Sequence, residues 1–210
     1  MTSCRERDKF TRDFWRYYMV LEEDGIRLRR YVDFRTTNFK TSSDEIIKQL
    51  ISVSAEFDNI CKEMTNIKKK KPNIADYAKW FFREEKFGKE LSRAKVVVRD
   101  SEIELSPFAG WNAEGLGLKW WRSYNNVKHH RTKKYDNGNL RSLLNALAAL
   151  YYLECLQYRR IALNYPDGDV FDIPPDLSRL FYVKMPGPKA VQLGENLFAI
   201  KVGEIDDGSQ

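Results

Sequence analysis

Histidine is nearly missing from this chain: among 210 residues there are two, His129 and His130. Any imidazole chemistry is therefore confined to one place. Cysteine is scarce as well. Cys4, Cys61 and Cys155 are odd in number and far apart, which excludes a local zinc knuckle and predicts a reducing compartment rather than a disulfide framework. No stretch approaches the roughly 18 consecutive apolar residues that a spanning helix needs. The opening MTSCRERDKFTRDFW has no apolar core, so no secretory signal is expected there. These absences predict a soluble, cytoplasmic protein without a membrane partner. A last absence is local: from Gly115 to Tyr135 there is no acidic residue, while Lys119, Arg122, Lys128, Arg131, Lys133 and Lys134 fall in that span.

What is present suffices for a folded core. Hydrophobic residues make up 42% of the chain and aromatics 13%, which argues against wholesale disorder. Lysine and arginine outnumber aspartate and glutamate by 36 to 30, giving a net charge of +6 that is compatible with a polyanionic partner. Apart from the acid-free stretch, the clearest basic run is Lys68 to Lys71.

Periodicity predicts mostly helices. Phe10, Phe14, Tyr17, Tyr18 and Leu21 form one stripe at helical spacing, ended by Asp24-Gly25, and a loop is expected over RTTNFKTSSDE. Ser42 or Ser43 is a suitable N-cap, with Asp44 and Glu45 placed to complement the dipole of a long amphipathic helix through Met64. That helix ends near the lysine run, with Pro72 beyond it, and a shorter one capped by Asn73 follows. Then the period changes to two: KVVVRDSEIELSPF predicts a hairpin over 96–105 turning at Arg99 to Ser101. Leu140, Leu143, Leu144, Leu147, Leu150 and Tyr151 mark a wide apolar face on the longest helix, 139–163, which predicts a central place in a bundle. Five of the seven prolines lie after Tyr165, where LFYV and LFAIKV read as short strands able to join the hairpin. The expected architecture is mainly α: a bundle of four to five helices over 1–164 with the hairpin inserted, and a Pro-rich C-terminal extension, 165–210, packed on the same domain.

The stretch WWRSYNNVKHHR, 120–131, concentrates the unusual composition. On a helix at 100° per residue, Trp120, Tyr124 and Val127 share one face, while Arg122, Asn125, Asn126 and His129 share the opposite one. His130 lies about 100° round from His129, so the pair cannot grip one metal ion from the same helix. A solvated basic helix face explains such a pattern equally well on spacing alone. Both histidines, the missing acids and the tryptophans behind the helix favour a functional face.

An Arg, a short gap and a His on a helix just before a long apolar helix resembles the signature of the HEPN superfamily. These are helical bundles of prokaryotic toxin–antitoxin and phage-defence systems. Arg122 and His129 enclose six residues, the upper end of that family's spacing, and the string WW..YN.VKH.R is similar to uncharacterised bacterial members. The early YY..LE.D, YV and SAEFD segments extend the resemblance over most of 10–160. Where the family often has Asn or Asp directly after the Arg, this chain has Ser123, so the polar helper falls to Asn125 or Asn126. The resemblance implies a HEPN-like fold and metal-independent cleavage of RNA to 2′,3′-cyclic phosphate ends. It places that chemistry at a homodimer interface, with Arg122, Asn125 and His129 catalytic and no cofactor. Lys119, Asn126, Lys128, His130, Arg131, Lys133 and Lys134 would then attract the RNA backbone, and an antitoxin protein would be a further partner. Because some members do not cleave, a non-catalytic dimer that binds RNA or a partner protein is the alternative.

Other residues have plainer readings. Glu56 and Asp58 are placed to orient Arg122 or His129, or simply form a solvated acidic face. The GLG at 115–117 reads as a phosphate cradle or as an ordinary loop. Cys61 and Cys155 sit on apolar stripes and are expected to be buried.

Overall fold

The computed structural model describes residues 2–83, 85–164, 177–184, 191–192 and 198–199. Its helices are α1 (Thr2–Phe10), α2 (Arg16–Leu28), α3 (Asp44–Thr65), α4 (Ile74–Arg83), α5 (Glu85–Arg93), α6 (Lys119–His130) and α7 (Leu140–Asn164). A π-helical turn, Thr11–Trp15, joins α1 to α2. The strands are β1 (Val96–Val98), β2 (Glu104–Leu105), β3 (Phe181–Val183), β4 (Val191–Gln192) and β5 (Phe198–Ala199). The molecule is mainly helical with a small antiparallel sheet, as the sequence predicts. No described helix is long and apolar enough to cross a membrane.

The centre is the pair α3 and α7, running parallel. At one end Leu140 N–H bonds to Thr41 O, and at the other the Arg160 guanidinium reaches Met64 O. Ser43 caps α3, its hydroxyl accepting from Ile46 N at 3.1 Å, and Asn66 ends the helix in the left-handed region at φ 46°. The leucine face of α7 is wholly enclosed, with Leu140, Leu143, Leu144, Leu147, Leu150 and Leu153 at 0% exposure. Alanines 146, 148 and 149 are buried on its other sides, which lets neighbouring helices approach closely.

α2 packs antiparallel on this pair, and here the sequence expectation needs correction. The helix does not stop at Asp24-Gly25 but runs on to Leu28. Gly25 is a contact point, not a terminator: a Cβ there would lie 3.0 Å from Leu147 Cδ1. The predicted stripe also shifts. The π turn widens the helical repeat locally, bringing Trp15 fully into the core while leaving Tyr17 45% exposed. Glu22 and Gly25, not only Leu21, then continue the buried face.

Asn73 caps α4 as expected, accepting from Ala75 N and Asp76 N. α5 follows at once, a helix the sequence reading lacked. β1 pairs with β2 in the predicted hairpin, Val96 opposite Leu105, with the turn carried by Asp100 at φ 55°. β3, from the LFYV segment, joins the other edge of β1, giving the order β2-β1-β3. The LFAIKV strand does not join it; β5 pairs with β4 instead. Most of the expected C-terminal extension lies outside the described residues.

Candidate nucleic-acid interface

α6 packs antiparallel to α7 and against α3, and aromatic contacts fix its rotation. Trp120 donates its indole N–H to Pro107 O at 2.8 Å and meets Phe57 of α3 edge-on at 4.9 Å between centroids. Trp121 leans on Phe57 and on Tyr124, at 5.8 and 5.0 Å. Trp120, Tyr124 and Val127 are buried, so the helix cannot roll without exposing two large aromatic surfaces. The loop before it is fixed by backbone packing. Gly117, at φ 99°, lies so close to Gly110 that a Cβ would fall 1.7 Å from its carbonyl oxygen. That contact accounts for the GLG stretch as a structural turn.

With its back anchored, α6 presents its front to solvent. Arg122 and His129 are exposed, Asn125 and Ser123 half-buried between them. Neither Arg122 nor His129 makes a hydrogen bond or ion pair with any described residue, and the Asn125 amide makes none either. The two exposed groups stand two turns apart, about 10 Å along the axis. His129 and His130 diverge, their ring planes 58° apart with centroids 6.4 Å apart. Both lie in the last turn, where positive charge also complements the helix dipole.

The remaining predicted contacts divide into committed and free groups. Asn126 donates to Asn137 Oδ1 at 2.8 Å, tying the end of α6 to the turn before α7. Lys128 lies over the Tyr124 ring, 5.1 Å from its centroid, and donates to its hydroxyl at 2.9 Å. Lys119, His130, Arg131, Lys133 and Lys134 are exposed. None of the described residues brings an acid to the Arg122–His129 face, and no three His, Cys, Asp or Glu side chains gather among them as metal ligands.

Glu56 and Asp58 do not serve this face. Asp58 accepts from the Tyr77 hydroxyl at 2.9 Å and pairs with Lys62. Glu56 is not a solvated acid either; it is buried on the α2 side of α3, accepting from Asn59 at 3.0 Å. Burial pushes its carboxyl above the usual range. Glu154 of α7, 0% exposed, is electrostatically coupled to Glu56, and neither of its oxygens has a hydrogen-bond partner among the described residues. Desolvation, then the Glu56 charge, raises it well above the carboxylate range. Nothing in the local pattern around Glu154 distinguishes it from a surface acid. Cys61 is buried as expected, while Cys155 is only partly so by exposure; desolvation raises its thiol to about 12.

No family model, no curated protein and no solved structure matches the chain. The geometry of α6 therefore carries the functional argument, with the resemblance of its motif beside it.

Proposed function

We propose that the chain is a HEPN-type endoribonuclease that acts as a toxin or phage-defence effector in the cytoplasm. The observation that carries this reading is the front of α6. Arg122 and His129 are held outward by a buried aromatic back, with no acid nearby and no partner within the fold. Stability gives no reason for leaving such groups uncommitted; a phosphodiester does. Transesterification needs a base to take the 2′-OH proton and an acid to protonate the leaving 5′-oxygen, and an imidazole serves either purpose near neutrality. The crowded phosphorus gathers negative charge as the reaction proceeds. Arg122 supplies a planar fork of donors suited to its oxygens, and Asn125 a neutral donor one turn on. One His129 per chain is too few for two proton transfers in a single step. The reading therefore includes a homodimer in which two α6 faces oppose one another and share one RNA phosphate. Lys119, His130, Arg131, Lys133 and Lys134 attract the backbone without sequence preference.

The second reading, a non-catalytic dimer that binds RNA or an antitoxin-like protein, is favoured by one observation. Asn126, a candidate helper in place of the residue after Arg122, is spent on Asn137. Expression in a bacterial host separates the two. The nuclease reading expects the wild type to arrest growth and His129→Ala to be harmless, with both folded and dimeric. Equal harmlessness of both supports the binding module.

A further inference from the structure

Tyr31 is the most exposed large hydrophobic residue described, at 85%, although it sits in a chain that otherwise hides its aromatics well. It stands in the turn leaving α2, directly after Arg29 and Arg30. Arg29 is fully used, donating to Arg99 O at 2.7 Å and lying over the buried Phe34 ring. Arg30 is exposed and makes no ion pair with a described residue. The bare ring beside a free guanidinium contributes nothing visible to the fold.

The position of this turn gives it meaning. The segment 29–43 folds back on itself, Asn38 donating to Asp33 O at 2.8 Å, and then lies along the start of α7. Leu140 N–H bonds to Thr41 O at 2.9 Å and Arg141 N–H to Phe39 O at 3.2 Å. Ser42 reaches Asp136 O in the loop that leaves α6. The turn after α2 and the basic loop after α6 therefore make one continuous end of the bundle. That end bears the uncommitted cations Arg30, Lys40, Lys133 and Lys134. Its nearby acids are largely taken: Asp33 by Arg35, Asp24 by Arg27, Glu45 by Lys48.

We infer that this end of the bundle is a binding track for single-stranded RNA, with Tyr31 as a platform on which one unpaired base stacks. The inference rests on the ribonuclease reading of α6 and adds the substrate class to it. Free cations follow a phosphate backbone whatever its secondary structure. An upright, solvent-facing phenol ring is useful only to a base whose face is open, which a duplex does not offer. The strand would pass from the Arg122–His129 face along Lys133 and Lys134 and over the 29–43 segment to Tyr31.

The test is binding of uncleavable probes to the full chain, which separates recognition from chemistry. A 2′-O-methyl single strand of mixed sequence and the same strand annealed to its complement are titrated by fluorescence anisotropy. Tyr31→Ala should weaken the single strand about 5- to 100-fold and leave the duplex unchanged, while Tyr31→Trp should restore tight binding. Thermal unfolding equal to wild type checks that the exposed position does not affect the fold. Single-strand binding that ignores Tyr31→Ala overturns the inference and leaves the nuclease reading standing. Tyr31-dependent binding together with absence of cleavage of ordinary RNA keeps the inference and removes the nuclease. Competition by a glutamate-rich peptide that Tyr31→Ala does not alter would assign the basic end to an acidic protein and overturn it.

Discussion

Glu22 and Arg122 are both charged residues on helices of the same bundle, and the fold treats them in opposite ways. Glu22, 1% exposed, accepts from the Tyr18 hydroxyl at 2.7 Å, from the Ser178 hydroxyl, from Arg179 N at 3.0 Å and from Leu180 N at 3.3 Å. It thereby fastens the segment leading into β3 onto α2. Burial, then the carboxylate beside it, pushes the Tyr18 phenol well above its usual range. Arg122, in contrast, touches no described polar group. A buried carboxylate must be saturated or it costs several kcal/mol, whereas an exposed guanidinium is free to wait for a ligand. Glu154 stands between them, buried like Glu22 but without partners. The comparison teaches where polar groups serve the fold and where they are left for something else.

The largest effect on stability is expected at the saturated site. Glu22→Ala strands a phenol, a hydroxyl and two backbone N–H groups, and should cost about 3–5 kcal/mol. Chemical denaturation reads this directly, and a loss under 1 kcal/mol would mean that the segment around Ser178 contributes little to the fold.

Next comes Glu154→Met, which keeps the volume and removes the orphaned carboxyl. It should stabilise the protein by about 1–3 kcal/mol near neutral pH. Its pH dependence has a definite sign. A carboxyl whose folded pKa is raised binds more protons in the folded than in the unfolded state. The wild type therefore loses stability as pH climbs from the unfolded value, about 4.3, toward the raised folded one. The Met variant should lose that part of the slope; denaturation curves at pH 5 and pH 8 would show it, and identical slopes would place a partner on Glu154.

Asn126→Ala breaks one half-buried amide pair and should cost about 0.5–1.5 kcal/mol. At the small end, Lys133→Ala with Lys134→Ala should leave stability within about 0.5 kcal/mol. The same pair should weaken RNA binding and flatten its salt dependence by up to about two ion equivalents, with turnover at saturating RNA unchanged.

The same distinction explains how far the sequence could be read. Helix starts and faces are local matters. Ser43 before an amphipathic run, the leucines of α7, the alternation at 96–105 and the two-faced pattern of α6 were all legible because a few neighbouring residues decide them. The π turn, the passage of α2 through Gly25 and the burial of Glu56 and Glu154 were not. Each depends on what another helix brings to the contact: Leu147 against Gly25, or α3 against α7 at the level of Glu154. The Glu22 fastening joins residues more than 150 positions apart, and no periodicity announces such a bond. For the candidate site, the outward face of α6 was visible in the helical spacing. The commitment of Asn126 to Asn137 and of Lys128 to Tyr124 became visible only with the turn and ring in place.

The most direct measurement is cleavage of a labelled single-stranded RNA by purified protein in EDTA, comparing wild type, His129→Ala and Arg122→Lys. Ribonuclease function at the α6 face predicts fragments ending in 2′,3′-cyclic phosphate from the wild type. It predicts none from His129→Ala despite near-equal RNA affinity, and severe loss in Arg122→Lys, where charge survives without the bidentate fork. Undiminished cleavage by His129→Ala, or a greater loss in His130→Ala than in His129→Ala, would contradict the account and leave α6 as a binding surface only.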